Sequence, residues 1–558
     1  MPTYKVSSIH FLKLYTAVCC VLIFWISAFA NYNEIYDETG AVRPAYVNVY
    51  NIFNSISQQE REVFLQMSKI AFRGDNMLDP VPRIISNAEY ENILKPGVEQ
   101  RAKALLAFLK DYYSGAKKYI KAGIIPERIV QSLLFRYNET GYKNKIRPED
   151  ISFFYGPDII RDEKGTWRVI EDNPGFIGGL GDLRLAQNFL LQKFPQYQKE
   201  IAFNRSEIFY EELTKIYKKN AKGKAVVMYM TPPYADNEDQ RLRRIFADYG
   251  IKTVTPYSIW QLQINPTTHQ VFLWNTKEKE MGPEVGYVVL NGEHSWLDPN
   301  HPLNFNKAIL LEAKEHFEDP DVEFSLKKKL SAELSKKNPN ITKIYNWIEN
   351  DSNLENGVKT SLKQTKAFKG LTEAIFSGKV KSNYSPGIDF IGDKEFYVYV
   401  ESMIRFYLQE EPILKNIETD RLADDHTLKL NESLFFHVFK NIDQYVIKKV
   451  DGRGGDGVWV GPKLNSQELP ELKKKILQDP TQYIVQKYTP LSIVGENIVD
   501  LRVISHVDNK NIFVTNSPWG RGLPASGNGK VNLSDQGREY TVLISHGPAN
   551  LCQNIFLH

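Results

Sequence analysis

The sequence predicts an α/β (α+β) chain built from several cores, and three observations predict it. Residues Lys224–Met230 form a continuous apolar run; a Pro-Pro turn, a charged helical stretch through Asp248 and a second β-rich run, Gly250-Ile251-Lys252-Thr253-Val254, follow. Strand, helix and strand at this spacing point to a small Rossmann-like unit. Between Tyr90 and Ile120 apolar residues recur at helical spacing, Leu105, Leu106, Phe108, Leu109 and Tyr112 above all, which predicts scaffold helices. The last third returns to short β-rich runs: Tyr445–Val450, Val458–Val460, Tyr483–Gln486, Leu501–Val507 and Ile512–Thr515.

Size is consistent with this. The 558 residues, 42% hydrophobic and 12% aromatic, make a globular chain, and typical domain sizes divide it into about three or four cores. The formal net charge of +3 is not gathered into a basic block, so nucleic acid is not an expected partner. Of three cysteines, Cys19 and Cys20 lie in the apolar N-terminal stretch and only Cys552 remains for the body. One thiol makes no internal disulfide and no cysteine-rich zinc site.

From the N-terminus, Lys5 and Lys13 precede an apolar run, Leu14 to Ala30, that ends in Ala28-Phe29-Ala30. That order predicts a secretory signal over residues 1–30 with cleavage before Asn31. An uncleaved membrane anchor is the close alternative, and a buried core helix the plain one. Export or anchoring is therefore expected, with membrane contact through this segment left open and a cytoplasmic location as the alternative. Residues 31–83 follow with an acidic turn, Tyr36-Asp37-Glu38-Thr39-Gly40, and a helix-like stretch ending near Phe72. Ile151–Arg161 and Trp167–Glu171 are β-rich and joined by Asp162-Glu163-Lys164-Gly165, a hairpin signal. The Lys-rich stretch from Phe324 to Lys369 predicts exposed helices or a linker with a solvated face.

Three constellations carry chemistry. Asp158 lies on one arm of the hairpin and Glu171 and Asn173 at the end of the other; two carboxylates and an amide oxygen are the hard ligands magnesium takes while leaving positions for phosphates. Strand alternation puts Glu171 and Asn173 on one face and Asp172 on the other. Surface carboxylates at a hairpin end explain the same residues without a metal. In Val446-Ile447-Lys448-Lys449-Val450-Asp451-Gly452-Arg453-Gly454-Gly455-Asp456-Gly457-Val458 a strand carries a lysine into a loop of four glycines and leaves as a strand. Backbone N–H groups of such a loop can surround phosphate oxygens, with the lysine as a point charge. It is neither a Walker loop nor a dinucleotide fingerprint, and a glycine-rich hairpin without ligand is its plain alternative. Finally, Asp500 and Arg502 share a strand face; the arginine fork suits a phosphate, and an exposed cross-strand ion pair suits the pattern equally.

Together these pieces resemble the ATP-grasp ligases. Pro157-Asp158-Ile159-Ile160-Arg161-Asp162 with Val169-Ile170-Glu171-Asp172-Asn173-Pro174-Gly175 is similar to their metal-binding strands, and Lys448 with Gly452–Gly457 to their lid over the phosphates. The metal motif precedes the loop, the inverted order of the circularly permuted ATP-grasp group. Val81-Pro82-Arg83-Ile84-Ile85, Glu411-Pro412-Ile413-Leu414, Tyr483-Ile484-Val485-Gln486 and Asp535-Gln536-Gly537 resemble that group too. The resemblance implies an ATP-grasp fold in permuted order with a small Rossmann-like subdomain. It divides the chain into 31–200 with the metal-binding strands, 201–360 with the Rossmann-like subdomain and a helical linker, and 361–558 with the phosphate loop. Carried over, it makes Asp158, Glu171 and Asn173 magnesium ligands and sets Lys448, Gly452, Gly454, Gly455 and Gly457 on the phosphates of ATP. Gln486 and Tyr488 fall beside adenine, and Arg502 on the γ-phosphate or acyl phosphate, so that Arg502, Lys448 and Glu171 are the expected catalytic residues.

The implied reaction joins a small-molecule or peptide carboxylate to an amine through an acyl phosphate. Two places depart from the group: Pro174-Gly175-Phe176-Ile177-Gly178-Gly179 where an arginine and a Pro-Ser-Gly turn are usual, and Arg538-Glu539 where a glycine-rich tail is usual. The competing expectation is a non-catalytic nucleotide- or ligand-binding protein of the same fold in the cell envelope. A carbohydrate-binding or structural envelope protein is the third, on Tyr and Phe content alone.

Overall fold

The computed structural model describes residues 31–545 apart from 74–75, 201–203, 230–236, 256–257, 291–300, 319–321, 337, 351–369, 453–454, 466, 510 and 534–536. The expected signal or anchor over residues 1–30 lies outside the described residues, as do Cys552 and the Pro-Pro turn after Met230. Among the described residues no helix is long and apolar enough to cross a membrane.

Four sheets organise the described residues. The largest has eight strands, ordered Arg83–Ser86, Arg538–Ser545, Trp519–Pro524, Asn497–Arg502, Asp158–Arg161, Trp167–Glu171 and Lys415–Asn416, with Ile493–Val494 paired onto Asn497–Arg502. Groups of strands from the first two hundred residues therefore interleave with groups from the last two hundred. The parallel pair Arg83–Ser86 and Arg538–Ser545 ties the two ends of the described chain together. Buried Arg83 reinforces that seam, donating to both oxygens of buried Glu34 at 2.6 and 2.9 Å and to the Asp500 carbonyl at 2.7 Å.

The second sheet, Thr419–Arg421, Tyr483–Lys487, Tyr445–Lys449 and Val458–Val460, is antiparallel throughout. Helices Glu432–Lys440 and Glu468–Gln478 cover one face, burying Phe435, Val438, Leu472 and Ile476 against Ile447 and Val485. The Rossmann-like expectation holds in its parallel core: Ala225–Tyr229 lies between Lys252–Val254 and the end of Glu280–Leu290, both parallel to it, with helix Asn237–Asp248 between the first two. Two antiparallel strands, Val271–Asn275 and Trp260–Ile264, extend it. The fourth sheet runs Ile512–Val514, Ser505–Val507, Phe153–Tyr155 and Pro174–Gly175.

Helix Lys95–Ser114 is the scaffold element of the main core. Leu105, Phe108, Leu109 and Tyr112 are buried on it, and Gly115 ends it with the positive φ of a left-handed cap. Helices Phe324–Leu334 and Ile341–Glu349 fill part of the Lys-rich stretch; they pack on helix Pro302–Glu318 through Leu330, Ile344, Ile309 and Ala313. Two β-rich runs read as single strands are each divided between sheets. Ile151–Arg161 breaks at Gly156-Pro157 into Phe153–Tyr155 and Asp158–Arg161, and Leu501–Val507 breaks after Arg502. A chain that changes sheets must leave one ladder before joining the next, and alternation of apolar residues carries no mark of that exchange.

Candidate functional site

The hairpin forms as its turn residues require: Asp162 Oδ1 accepts from the backbone of Lys164 and Thr166, and Gly165 takes φ +76°. Cross-strand register sets Asp158 opposite Glu171, and a bulge then inserts Ile170, since the next pair is Ile159 with Val169. The Ile170 carbonyl accepts from Lys448 Nζ at 3.1 Å and from Gln486 Nε2 at 3.4 Å. Glu171 and Asn173 line a cavity, whereas Asp172 turns into the body, where Arg101 holds it at 2.6 Å and the Tyr155 hydroxyl donates to it. The two faces separate as strand alternation requires.

The second sheet supplies the opposite wall. Lys448 sits between Ile484 and Val458 in register, and beyond Lys449 the strand opens into the glycine loop, closed by the Lys449 N–H donating to the Gly457 carbonyl at 2.6 Å. Glycine is required at 452 and 457: a Cβ at Gly452 would stand 2.4 Å from the Asp456 carbonyl oxygen, and Gly457 takes φ +67°. Burial pushes the Lys448 ammonium down to about 8; Glu171 and Asp158 counter it, while the like charge of Lys394 adds to it.

Lys394, which motif reading did not single out, bridges the walls. Its ammonium pairs with Glu171 at 2.9 Å and donates to the Gly452 carbonyl, while its own N–H donates to Val450 at 3.0 Å. Its only sequence signal is a lysine one residue beyond Gly392-Asp393. Arg521 was also missed; Gly520 and Gly522 flank it on its strand, a pattern that marks close packing. It is the register partner of Asp500, pairs with that residue, and reaches Asp158 Oδ2 at 3.0 Å.

Asp500 and Arg502 are therefore not an exposed ion pair. Both are buried, Asp500 held by Arg521 and Arg502 donating to Asp158 Oδ1 from Nε and Nη2 at 2.8 and 2.7 Å. Burial raises the Asp158 carboxyl, but Arg502 and Arg521 outweigh it and hold the group down at about 2. Arg502 also donates to the Gly178 carbonyl and stacks over Trp519.

One cavity of about 440 Å³ collects these groups. Asp158, Glu171, Asn173, Lys448, Gly452, Gly455, Gln486 and Tyr488 line it, joined by Lys394, Asp451 and Arg521. Arg502 and Gly457 do not line it, and Gly454 lies outside the described residues. Both departures from the expected motifs are occupied. Gly178 lines the cavity and the N–H groups of Gly179 and Gly181 donate to Glu238 at 2.8 and 3.0 Å; Glu539 is fully buried, accepting from Trp519 Nε1 at 3.0 Å.

A carboxylate-bearing sheet thus faces a lysine and a glycine loop across one cavity. The chain belongs to the circularly permuted ATP-grasp family, type 2, whose model matches residues 82–239 and 329–521. An uncharacterized protein of Mycobacterium leprae is 24% identical over 543 residues, covering 92% of this chain and 83% of that protein. A Frankia alni protein provisionally named a glutamate–cysteine ligase is 25% identical over 483 residues; these are 83% of this chain and 47% of that protein, so the match spans about half its length. Among solved structures, a glutathione synthetase-like effector from Globodera pallida in apoform covers 88% of this chain and 98% of its own at 12% identity, with a TM-score of 0.47, a distant likeness only. Family and relatives support an ATP-dependent ligase in the broad sense.

Proposed function

We propose that the protein is an ATP-dependent carboxylate–amine ligase that works through an acyl phosphate, with magnesium as its metal. The observation that carries the reading is the convergence on one cavity of Asp158 and Glu171 from one sheet and Asn173 just beyond it, Lys448 and the glycine loop from another sheet, and Lys394 from the start of helix Lys394–Tyr397. In this reading the carboxylate substrate takes the γ-phosphoryl, ADP leaves, and the amine displaces phosphate to form the amide. The donor set fits magnesium. Among the described residues no three His, Cys, Asp or Glu side chains cluster, so the ion would rest on Glu171, the Asn173 amide oxygen, the lone pair left on Asp158 Oδ2, and phosphate oxygens. Asn173 Nδ2 is buried without a hydrogen-bond partner, a donor that an oxygen of a bound phosphate would satisfy. Magnesium when bound would neutralise charge on the transferred phosphoryl.

The chain's own residues do the rest. Lys448 and Lys394 place two ammonium groups on the phosphate side, and the loop amides add donors. Gln486 to Tyr488, with apolar Ile170, Ile417, Val446 and Val460 in the same cavity, would take the base. Arg502 holds Asp158 in place from behind. The test is ATP turnover with amino acids and small peptides as substrates, hydroxylamine being added to capture an acyl phosphate as hydroxamate. ADP and hydroxamate formed only with a carboxylate present support the reading; ADP release indifferent to any carboxylate overturns it.

A binding protein that no longer turns over is the second reading, and the Lys394–Glu171 pair favours it, since an ammonium there does part of a cation's work. Nucleotide binding of equal strength with and without magnesium would decide for it.

A further inference from the structure

Helix Pro302–Glu318 lies outside the residues matched by the family model, yet it reaches the cavity wall. It carries Lys307 and Lys314, seven residues apart, which is two helical turns and hence one face. Each ammonium meets a carboxylate that lines the cavity. Lys314 Nζ stands 3.3 Å from Asp451 Oδ2 and donates to the Arg136 carbonyl at 3.1 Å; Lys307 pairs with Asp389 and stands 3.4 Å from Glu139.

Both carboxylates stand at the start of segments on the phosphate side. Asp451 opens the glycine loop, immediately before Gly452. Asp389 opens the turn Asp389–Gly392 that leads to Lys394, and the Glu139 carboxylate caps that turn, accepting from the N–H groups of Asp389 and Phe390 at 3.1 and 3.0 Å. An aspartate at the mouth of a phosphate site repels a triphosphate unless a cation neutralises it. Asp451 keeps its charge: burial opposes ionisation, but Lys314, Lys449 and Arg136 hold its carboxyl down at about 2.

We propose that Lys314 is a positioning residue for the phosphate loop, holding Asp451 so that Gly452 faces a nucleoside triphosphate and cancelling a charge that would repel it. Lys307 does the same for the Asp389 turn that delivers Lys394. The inference rests on the proposed nucleotide site, but the clamp itself has a separate readout. Magnesium–ATP affinity is measured by calorimetry for wild type, Lys314→Met, Lys314→Arg, Asp451→Asn and the double variant Lys314→Met/Asp451→Asn, with melting temperatures alongside. Lys314→Met weakens binding on the order of tenfold, Lys314→Arg restores most of it, and the double variant binds no worse than Lys314→Met, because the two act as one unit. Losses that multiply in the double variant, or a lowered melting temperature with affinity unchanged, overturn the positioning role.

Hydrogen exchange of the nucleotide-free protein reads the clamp without ATP. Lys314→Met speeds exchange in a peptide spanning residues 446–460 and leaves one spanning 104–112 unchanged. Faster exchange in Lys314→Met, together with a wild type that binds no nucleotide, keeps the clamp and removes the site reading, whereas unchanged exchange in Lys314→Met removes the clamp.

Discussion

Lys448 offers a prediction with a magnitude. Its ammonium is buried at the head of the phosphate loop and pushed down to about 8, mainly by loss of water. A bound triphosphate would hold the same group charged, so above pH 8 binding must take up a proton, and affinity falls as pH rises. With a free-protein pKa of about 8, roughly nine-tenths of Lys448 is charged at pH 7 and about one-tenth at pH 9. Affinity for magnesium–ATP should then drop about tenfold between those two values, or roughly 1.4 kcal/mol. Lys448→Met binds weakly at both, because the charge is gone. Lys448→Arg loses the pH dependence above 8, since a guanidinium stays charged there. Calorimetry from pH 6.5 to 9.5 on the three proteins measures this, and the wild-type slope minus that of Lys448→Met removes groups titrating elsewhere. An identical slope in wild type and Lys448→Met would refute the argument that Lys448 sits on the phosphates.

Other expectations follow from the same geometry. Glu171→Gln removes one charge with little change of volume, so ATP-dependent turnover should fall on the order of a hundredfold to a thousandfold while the melting temperature moves little; turnover at the wild-type rate would take Glu171 out of the site. Burial lifts the Glu539 carboxyl to about 7; its folded pKa lies above the unfolded one, so the stability from its proton is present below about 4.5 and lost as pH rises through about 7. Wild type should therefore melt lower at pH 8 than at pH 5 by more than Glu539→Gln does, and equal shifts in both proteins would count against that assignment. At the N-terminus we propose export: native mass spectrometry should find a chain beginning at Asn31, and a chain retaining the first thirty residues would point instead to an anchor or a cytoplasmic enzyme.

The local chemistry of the site was legible because glycine, lysine and carboxylate positions follow short-range rules. The hairpin turn at Asp162–Gly165, the opposite faces of Glu171 and Asp172, and the strand–loop–strand around Lys448 all depend on neighbours within a few residues, and all appear in the structure. What was not legible depends on pairing across hundreds of residues. The bulge that aims the Ile170 carbonyl at Lys448 needs the partner strand to be known. Lys394 and Arg521 carry no motif of their own and enter the site only because the sheets bring residue 394 beside 450 and residue 521 beside 158. Asp500 and Arg502 were read as a pair by their alternation, whereas each is held by a residue from a different strand.

Joint binding of ATP and magnesium in the cavity can be read from one titration. The full chain is titrated with ATP by calorimetry, once with magnesium and once with the divalent ions removed by chelation. One saturable site per chain is expected, markedly tighter with magnesium, with the magnesium dependence lost in Glu171→Gln. No saturable heat, or equal affinity with and without the ion in wild type, would contradict it.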